Sequence, residues 1–442
     1  MALIPLGFWA ASGGAAGGPY WIATLGGSGA DYSSAVAVDS LDNNYVLGYT
    51  ISAGAGNYDF LIIKRNTEGV VQWQRTLGGT GNDRGYGLAI DSSDNLYVCG
   101  YSTISGEFDE RFLVAKYNSS GTIQWQRLFG NGFAYGEAAA VDTSGNVYFA
   151  GYGYGEGAGD QEFYIVKYNS SGTLQWQRTL GGASADKAYA IHLDSSNNVY
   201  VSGDSRSTGA GGQDILLAKY SSSGVIQWQR SLGGASNDES HSIATDSSGN
   251  VYIAGYSYSV VADSVLLLAK YNPSGTLQWQ RALYNSYGTS TAQAVAVDSN
   301  NDVYITGEEF ISGSVRRQMI VAKYNSSGTI QWQRMLGASS DEFSYSIAVD
   351  SLDDIYITGK TPNIGVGGQE VITAKLANDG SLLGTYVLDG VNITYAVSTL
   401  TTTTPTLTAA TSSLTSSTSS RTTAASSRTD AVSSLTSYLV DL

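Results

Sequence analysis

The side chains best suited to catalysis are few and scattered in this sequence. It has two histidines, His192 and His241, and one cysteine, Cys99. Neither histidine lies in an HExxH pattern or pairs with a cysteine, and the sequence has no GxSxG or P-loop motif. A single cysteine excludes both an intramolecular disulfide and a thiolate metal cluster. The sequence therefore predicts a protein that is not an enzyme, with no catalytic residues, no metal and no cofactor.

A recurrent aspartate provides a frame for a different kind of site. It belongs to a D-S-x-x-N-x-Y pattern and occurs at Asp39, Asp91, Asp142, Asp194, Asp246, Asp298 and Asp350. The residue five positions before it varies from copy to copy. Tyrosine rings can stack on sugars, and Glu, His and Gln can hydrogen-bond to hydroxyl groups. We predict a ligand-binding ring formed by Ser34, Tyr86, Glu137, Tyr189, His241, Gln293 and Tyr345.

These positions belong to a long internal repeat. The tetrapeptide QWQR recurs every 51 to 53 residues, and its tryptophans are Trp73, Trp125, Trp176, Trp228, Trp279 and Trp332. A degenerate copy, YWIATLGG, places Trp21 in the same register, which makes seven copies. Each copy holds four short runs rich in Val, Ile and Tyr, named a to d in chain order, separated by Asp, Asn, Ser and Gly. Four antiparallel strands per repeat predict an all-β fold, a seven-bladed β-propeller.

The ends of the repeat region indicate a closed ring. Strand a alternates small with bulky residues, as an innermost strand crowded around an axis must. An extra d-type segment (20–25) precedes the first complete a–b–c set, and the last d-type segment (382–388) has Gly384 in the tryptophan register. Pairing of an N-terminal strand into the last blade would remove the open edges. The sequence does not decide which of the two segments completes blade seven.

The blocks D-S-S-G-N-V-Y and L-L-A-K-Y-N-S-S-G-T-I-Q-W-Q-R resemble the bacterial and phage SBBP β-propeller repeats, which are related in pattern to the NHL repeat. The resemblance covers about residues 20–390. It implies a propeller and says little about activity, because propellers host many unrelated functions.

The two faces of the predicted ring differ in variability. The a–b and c–d links are short and nearly identical, whereas the b–c loops vary, which places the variable ring at the channel mouth on the variable face.

His192 replaces a small residue of strand a, and we interpret it as packed near the axis. The recurrent Lys of strand c and Arg of strand d predict a structural role, such as pairing with carboxylates at strand ends. In the d–a loops, Asp31, Asp83, Asp186, Asp238 and, one residue out of register, Asp341 are interpreted as turn caps rather than cation ligands.

Composition limits the partners. Charged residues make up 14% of the chain and the net charge is −15. Nucleic acid and anionic membrane surfaces are disfavoured, because both attract clustered cations. No segment approaches the ~20 apolar residues of a membrane-spanning helix, so we expect no membrane insertion.

Two segments flank the predicted propeller of residues 20–390. The leader (1–19) is apolar and Gly-rich, and it does not have the pattern of a signal peptide. It resembles the leaders of structural proteins of marine tailed phages. In that case it would dock to a neighbouring virion subunit; the alternative is a disordered segment. The Ser/Thr-rich tail (391–442) has a seven-residue period. Either it forms helices that associate as a trimer, or it is a flexible or glycosylated stalk. The period is led by Leu407, Leu414, Arg421, Arg428, Leu435 and Leu442.

Together these features favour a non-enzymatic virion structural protein of a tailed phage, such as a fibre, appendage or surface protein. Its termini would attach it to other virion subunits, and its propeller would bind a host-surface glycan or protein. A secreted or surface-located bacterial adhesion propeller is the alternative. A glycan-cleaving enzyme is less favoured, because Glu137 is the only acid in the predicted ring and glycan hydrolysis normally needs paired carboxylates.

Overall fold

Strands form all the regular secondary structure in the described part of the chain. The computed structural model describes residues 20–103, 110–130, 132–154, 160–261, 263–284, 289–310, 316–362, 364, 368–398, 401–403, 407–411, 415–417, 423–425, 429–432 and 436–441. No helix occurs among these residues, so none of them forms a helix long and apolar enough to span a membrane.

Seven antiparallel sheets follow one another in the sequence, and the first six take four consecutive strands each. After β1 (Trp21–Gly26), blade one contains β2 (Asp31–Val38), β3 (Asn44–Thr50), β4 (Asp59–Arg65) and β5 (Val71–Gly78). Blade two contains β6 (Asp83–Ile90), β7 (Leu96–Thr103), β8 (Glu110–Tyr117) and β9 (Ile123–Phe129). Blade three contains β10 (Ala134–Val141), β11 (Val147–Tyr154), β12 (Gln161–Tyr168) and β13 (Leu174–Gly181).

The remaining blades continue the same a–b–c–d order. Blade four contains β14 (Asp186–Leu193), β15 (Val199–Ser205), β16 (Asp214–Tyr220) and β17 (Ile226–Gly233). Blade five contains β18 (Asp238–Thr245), β19 (Val251–Ser257), β20 (Val265–Tyr271) and β21 (Leu277–Tyr284). Blade six contains β22 (Ser290–Val297), β23 (Val303–Phe310), β24 (Arg317–Tyr324) and β25 (Ile330–Gly337). Blade seven takes β26 (Phe343–Val349), β27 (Ile355–Thr361) and β28 (Glu370–Leu376). The prediction of a seven-bladed all-β propeller with four-stranded antiparallel blades is confirmed.

The N-terminal strand closes the ring. β1 pairs antiparallel with β28, from Trp21 opposite Lys375 to Leu25 opposite Val371, and so supplies the fourth strand of blade seven. The last d-type segment does not enter blade seven. It forms β29 (Gly384–Leu388), which makes a hairpin with β30 (Val391–Val397) on the outer edge of blade six. The question left open by the sequence is therefore decided in favour of the N-terminal strand.

The core lies between the blades. Seven clusters of buried residues each join one blade to the next, and the cluster of Val46 and Leu61 of blade one with Tyr356 and Val371 of blade seven completes the circle. Because each blade buries its faces only against its neighbours, the ring must be complete for every blade to be covered.

A repeated polar contact holds each outer strand to the following blade. The indole Nε1 of Trp125 donates to the Ser170 carbonyl at 3.1 Å, and Nε of Arg127 donates to the Gly172 carbonyl at 3.1 Å. Gly172 has φ of +75°, and a Cβ there would lie 2.7 Å from the Trp125 ring, so this turn requires glycine. The indole of Trp21 makes the same bond across the closure, to the Thr67 carbonyl of blade one at 3.0 Å.

The C-terminal segment forms a belt around the propeller. Its short strands pair antiparallel with the outermost strands of blades five, four, three, two, one and seven in turn, and β30 occupies the same place on blade six. These belt strands are β31 (Thr401–Thr403), β32 (Thr408–Thr411), β33 (Thr415–Ser417), β34 (Thr423–Ala425), β35 (Thr429–Val432) and β36 (Thr436–Asp441).

The belt corrects the predictions for the tail. The described segments are strands that lie on the propeller, so the helical interpretation is wrong for them and the free stalk does not describe them either. Successive belt strands begin six to eight residues apart, and each pairs with the next blade. Leu407 is buried between blades four and five. The other leading positions of the seven-residue period (Leu414, Arg421, Arg428, Leu435 and Leu442) lie outside the described residues, as does the leader.

Candidate functional site

A β-bulge on every innermost strand directs one side chain to the channel mouth. In blade three the pairing of β10 with β11 shifts register between Gly136 and Ala138, which leaves Glu137 as the extra residue. The same shift occurs at the equivalent position of all seven innermost strands. Bulges commonly redirect a side chain in this way. The extra residues are Ser34, Tyr86, Glu137, Tyr189, His241, Gln293 and Tyr345, the seven that the sequence predicted as a ring.

These seven residues line one cavity of about 410 Å³ at the mouth of the channel. Three further residues, Ser33, Tyr49 and Glu239, complete its wall. A volume of this order is typical of small-ligand sites, which combine apolar or aromatic walls with a few polar groups. The sequence therefore identified the positions that converge, and the cavity makes them a candidate binding site.

A second ring surrounds the first, and the sequence analysis missed it. In every blade it consists of one residue of strand a paired with one residue of strand b. The strand-a residue lies two positions before the bulge, and the strand-b residue follows the recurrent glycine. The pairs are Tyr32 with Tyr49, Arg84 with Tyr101, Tyr135 with Tyr152, Lys187 with Asp204, Glu239 with Tyr256, Thr291 with Glu308 and Phe343 with Lys360. The residue after the glycine varies between copies, and that variation was the signal available in the sequence.

Aromatic rings connect the two rings of residues over five blades. Neighbouring ring centroids lie 4.7 to 6.4 Å apart, the range of favourable aromatic pairs. The array runs in order through Tyr58, Tyr32, Tyr49, Tyr86, Tyr101, Tyr135, Tyr152, Tyr189, His241, Tyr256 and Tyr258. Such packing fixes the side chains before any ligand binds, which lowers the entropic cost of recognition.

His241 lies between an amide and a carboxylate. Its Nδ1 lies 2.8 Å from Gln293 Oε1, and its Nε2 lies 3.4 Å from Glu239 Oε2. Burial disfavours the charged ring, but the bonds to Glu239 and Gln293 outweigh it and raise the pKa of His241. Burial also opposes ionisation of Glu239, yet hydrogen bonds from His241 and Tyr256 lower its pKa. The two groups therefore neutralise each other.

Two other carboxyl groups near the cavity lack such compensation. Burial raises the pKa of Glu137 to about 7, with small opposing effects from His241 and Lys187. Burial and the charge of Glu239 raise the pKa of Asp204 to about 7, although Tyr189 donates a hydrogen bond to it. Asp204, Glu239 and Tyr189 also line a polar side cavity of about 240 Å³ that adjoins the first.

The other sequence candidates have structural roles. The Nδ1 atom of His192 lies 3.2 Å from Thr245 Oγ1 of the next blade, and burial lowers the pKa of His192 to about 4. Within the described residues no group of His, Cys, Asp or Glu side chains is arranged to hold a metal ion. Six of the seven strand-c lysines do pair with the recurrent aspartates, as in Lys375 with Asp350 at 2.9 Å. The strand-d arginines instead donate to backbone carbonyls of the next blade, so carboxylate pairing was the wrong expectation for them.

The aspartates of the d–a loops cap turns. Asp186 is buried and accepts hydrogen bonds from the Gly182 backbone N–H and the Ser207 hydroxyl, both at 2.8 Å. In blade seven the prediction named the wrong residue. Glu342 accepts the equivalent bond from the Ala338 N–H at 3.0 Å, whereas Asp341 accepts from the Arg317 N–H at 2.7 Å. Glu342 lies three residues before the bulge, as Asp186 does, so it occupies the register of the other caps.

The repeat can now be placed among known sequences. Residues 72–107, 227–260 and 331–363 match the model of the SBBP β-propeller repeat. The chain carries SBBP β-propeller repeats. These three matches lie in blades one to two, four to five and six to seven, and the other blades repeat the same strand order.

Two curated relatives match part of the chain. One is the uncharacterized WD repeat-containing protein L264 of Acanthamoeba polyphaga mimivirus, 23% identical over 259 residues that cover 44% of this chain and 19% of that protein. The other is the regulatory protein FlaEY of Caulobacter vibrioides, 26% identical over 182 residues that cover 35% of this chain and 18% of that protein. The chain spans less than a fifth of the length of these relatives.

Solved structures with a similar fold are distant in sequence. An ulvan lyase of a polysaccharide lyase family, bound to a glucuronate–sulfated rhamnose unit, has a TM-score of 0.48 and 12% identity, with 80% of this chain and 96% of that chain covered. Sqt1 from Chaetomium thermophilum has a TM-score of 0.44 and 11% identity, with 80% and 98% covered. At these identities the likeness concerns the fold alone.

Proposed function

We propose that this protein is a non-enzymatic recognition propeller that binds a glycan at the channel mouth. The observation that carries the proposal is the set of seven bulges, which bring seven unlike residues to one cavity of about 410 Å³. The a–b and c–d links are nearly identical in all blades, whereas the residues at this mouth differ, and such differences on one face are best explained by recognition of an asymmetric ligand. Tyrosine faces, an amide and hydroxyl groups suit a sugar ring.

A binding experiment tests this proposal. The wild type and a triple variant, Tyr86→Ala, Tyr189→Ala and Tyr345→Ala, would be applied to a glycan array, and the glycans retained would be titrated by calorimetry. We expect the triple variant to bind at least tenfold more weakly. A control triple variant replaces Gln72, Gln124 and Gln175 with alanine; these side chains are exposed on the outer strands, and their loss should leave binding unchanged. Equal binding by the tyrosine variant would refute the site.

As the setting of this function we propose a virion, in which the chain is a fibre, appendage or surface protein of a tailed phage and the glycan belongs to the host surface. The Gly-rich leader and the presence of a viral protein among the relatives support this setting. Mass spectrometry of purified particles tests it. Detection of the chain only in envelopes of uninfected bacteria would favour the alternative, a bacterial adhesion propeller, which the relative from Caulobacter vibrioides supports.

One observation favours glycan cleavage as a second candidate function. Asp204 and Glu239 lie beside Tyr189 and His241, and their pKa values are displaced in opposite directions, which is the pattern of an acid paired with a base. Incubation of the wild type with the glycans it binds, followed by mass spectrometry of the products, separates the two functions. Product formation that is lost in Asp204→Asn would establish cleavage, and intact glycans would establish binding alone.

A further inference from the structure

One charged group in the channel-mouth cavity has no counterpart. The cavity wall contains three ionisable side chains besides its tyrosines: Glu137, Glu239 and His241. His241 and Glu239 pair with each other at 3.4 Å. Among the described residues, Glu137 makes no hydrogen bond and no ion pair, although every other charged member of the wall does. A carboxylate that is largely removed from water without a partner is unfavourable, so a ligand that supplies one would be stabilised there.

Two tyrosine side chains flank this carboxylate in the cavity wall. Tyr86 and Tyr189 occupy the bulge positions of the blades before and after that of Glu137, and all three side chains line the same cavity. The Tyr152 and Tyr189 rings meet edge to face with centroids 5.9 Å apart. Aromatic faces attract cations, and the attraction is largest where water is excluded. A carboxylate between two tyrosines of one cavity wall therefore presents two kinds of attraction to a cation.

The surrounding charges leave this preference in place. His241 pairs with Glu239 at 3.4 Å, and Lys187 lies over the Tyr152 ring at 5.2 Å and opposite Asp204 in the strand register. The net charge of −15 adds a general attraction for cations. The titratable groups that interact electrostatically with Glu137 are His241, Lys187, Tyr86, Tyr152, Tyr189 and the Cys99 thiol.

We infer that the cavity binds an amino sugar whose free ammonium group pairs with Glu137 between Tyr86 and Tyr189. This inference rests on the proposed glycan-binding function and specifies its ligand class. A sugar is favoured over a lysine side chain because the cavity is broad and carries Ser34, Gln293 and Tyr345 away from Glu137, where ring hydroxyls would need partners. A lysine side chain would leave Ser34 and Tyr345 without a ligand partner.

The test compares two ligands that differ only at nitrogen. Oligosaccharides of glucosamine, with free amines, and the same oligosaccharides fully N-acetylated would be titrated into the wild type and into Glu137→Gln at pH 7.5. We expect the wild type to bind the free amine at least tenfold more tightly than the acetylated form, and Glu137→Gln to reduce this preference below threefold. Glu68→Gln, at an exposed carboxylate in the c–d turn of blade one, is the matched control and should keep the preference. Thermal unfolding would show that both variants fold.

Each outcome decides a separate point. Equal binding of the two oligosaccharides, or a preference that survives Glu137→Gln, would overturn the ammonium site. If neutral glycans still bind and the triple tyrosine variant abolishes their binding, the proposed function stands while this inference fails. Failure of every glycan to bind would overturn both. Tight binding of oligolysine, equal to that of the glucosamine oligosaccharides, would overturn the assignment to a sugar.

Discussion

The closure of the ring by the N-terminal strand makes Trp21 the residue whose loss should cost most among the repeated tryptophans. The Trp21 side chain is fully buried, whereas Trp228 at the equivalent place in blade four is partly exposed. The Trp21 ring contacts the Tyr356 ring edge to face at 6.0 Å, and its Nε1 donates to the Thr67 carbonyl across the junction of blades seven and one. Its substitution therefore tests which strand closes the ring.

The magnitude follows from these contacts. Removal of a fully buried tryptophan side chain costs about 3–5 kcal/mol in unfolding free energy. Trp21→Phe keeps most of the ring and removes one hydrogen bond, which costs about 1 kcal/mol. For Trp228→Ala we expect about 2 kcal/mol, because part of its surface is already in contact with water. The predicted order of destabilisation is Trp21→Ala first, then Trp228→Ala, then Trp21→Phe.

Urea unfolding followed by far-UV circular dichroism measures these differences, provided that the slope m stays constant among the variants. Hydrogen exchange with mass spectrometry locates the effect, and Trp21→Ala should increase exchange in β28, the strand that pairs with β1. If Trp21→Ala costs less than Trp228→Ala, or if β28 keeps its protection, the N-terminal strand does not complete blade seven. Trp21→Phe serves as the control for a general effect of substitution at this site.

Three further predictions follow from the belt and the cavity. A chain ending at residue 398 loses β31 to β36 and exposes the outer edges of six blades, so sedimentation should show concentration-dependent association; a strictly monomeric product would contradict the edge-covering role of the belt. Asp204 is buried, with a pKa raised from 3.8 to about 7, so the folded state holds its proton more tightly than the unfolded state does. Relative to Asp204→Asn, the wild type should therefore lose about 1–4 kcal/mol of stability as pH rises from about 4 to 7 and lose no more above it, as urea titrations at several pH values would reveal. Because Glu137 has a pKa of about 7, the association constant for glucosamine oligosaccharides should rise from pH 5 towards 7 and fall again at higher pH, where the sugar amine loses its proton; Glu137→Gln should remove the rise in calorimetry.

The sequence was sufficient for the fold and for the inner ring because both follow from repetition. Seven copies set the number of blades, and the alternation of small with bulky residues identified the innermost strand. The position five residues before each recurrent aspartate stood out through its variation, although the bulge that turns Glu137 or Tyr189 towards the axis has no sequence signal of its own. A bulge changes the register of a backbone pair, and pairing partners cannot be read from one strand.

The second ring was missed for a related reason. Tyr49 and Asp204 lie in strand b, which reads as a continuous apolar core strand, so a polar or aromatic residue near its end does not stand out as part of a site. Their partners, Tyr32 and Lys187, become neighbours only when strands a and b pair in the observed register. Shifting this register by one residue would send the same side chains to the opposite face of the sheet. A site built from cross-strand pairs therefore needs the pairing as well as the pattern.

The tail shows how one period can arise from two physical causes. A seven-residue repeat predicts a coiled coil because 3.5 residues per turn return every second turn to the same side. In this chain the repeat instead matches the advance of an extended segment from one blade to the next. Strand pairs of only three to six residues fit this cause, since each belt strand meets one outer edge and then crosses to another.

Composition could have distinguished the two causes: Thr favours strands, Ser is a weak helix former, and arginine at two leading positions would interrupt an apolar helical seam. A belt strand needs few apolar anchors because the outer edge of every blade supplies backbone hydrogen bonds. The last belt strand, β36, pairs with the first strand of the propeller, β1, so the first and last described strands lie side by side in blade seven.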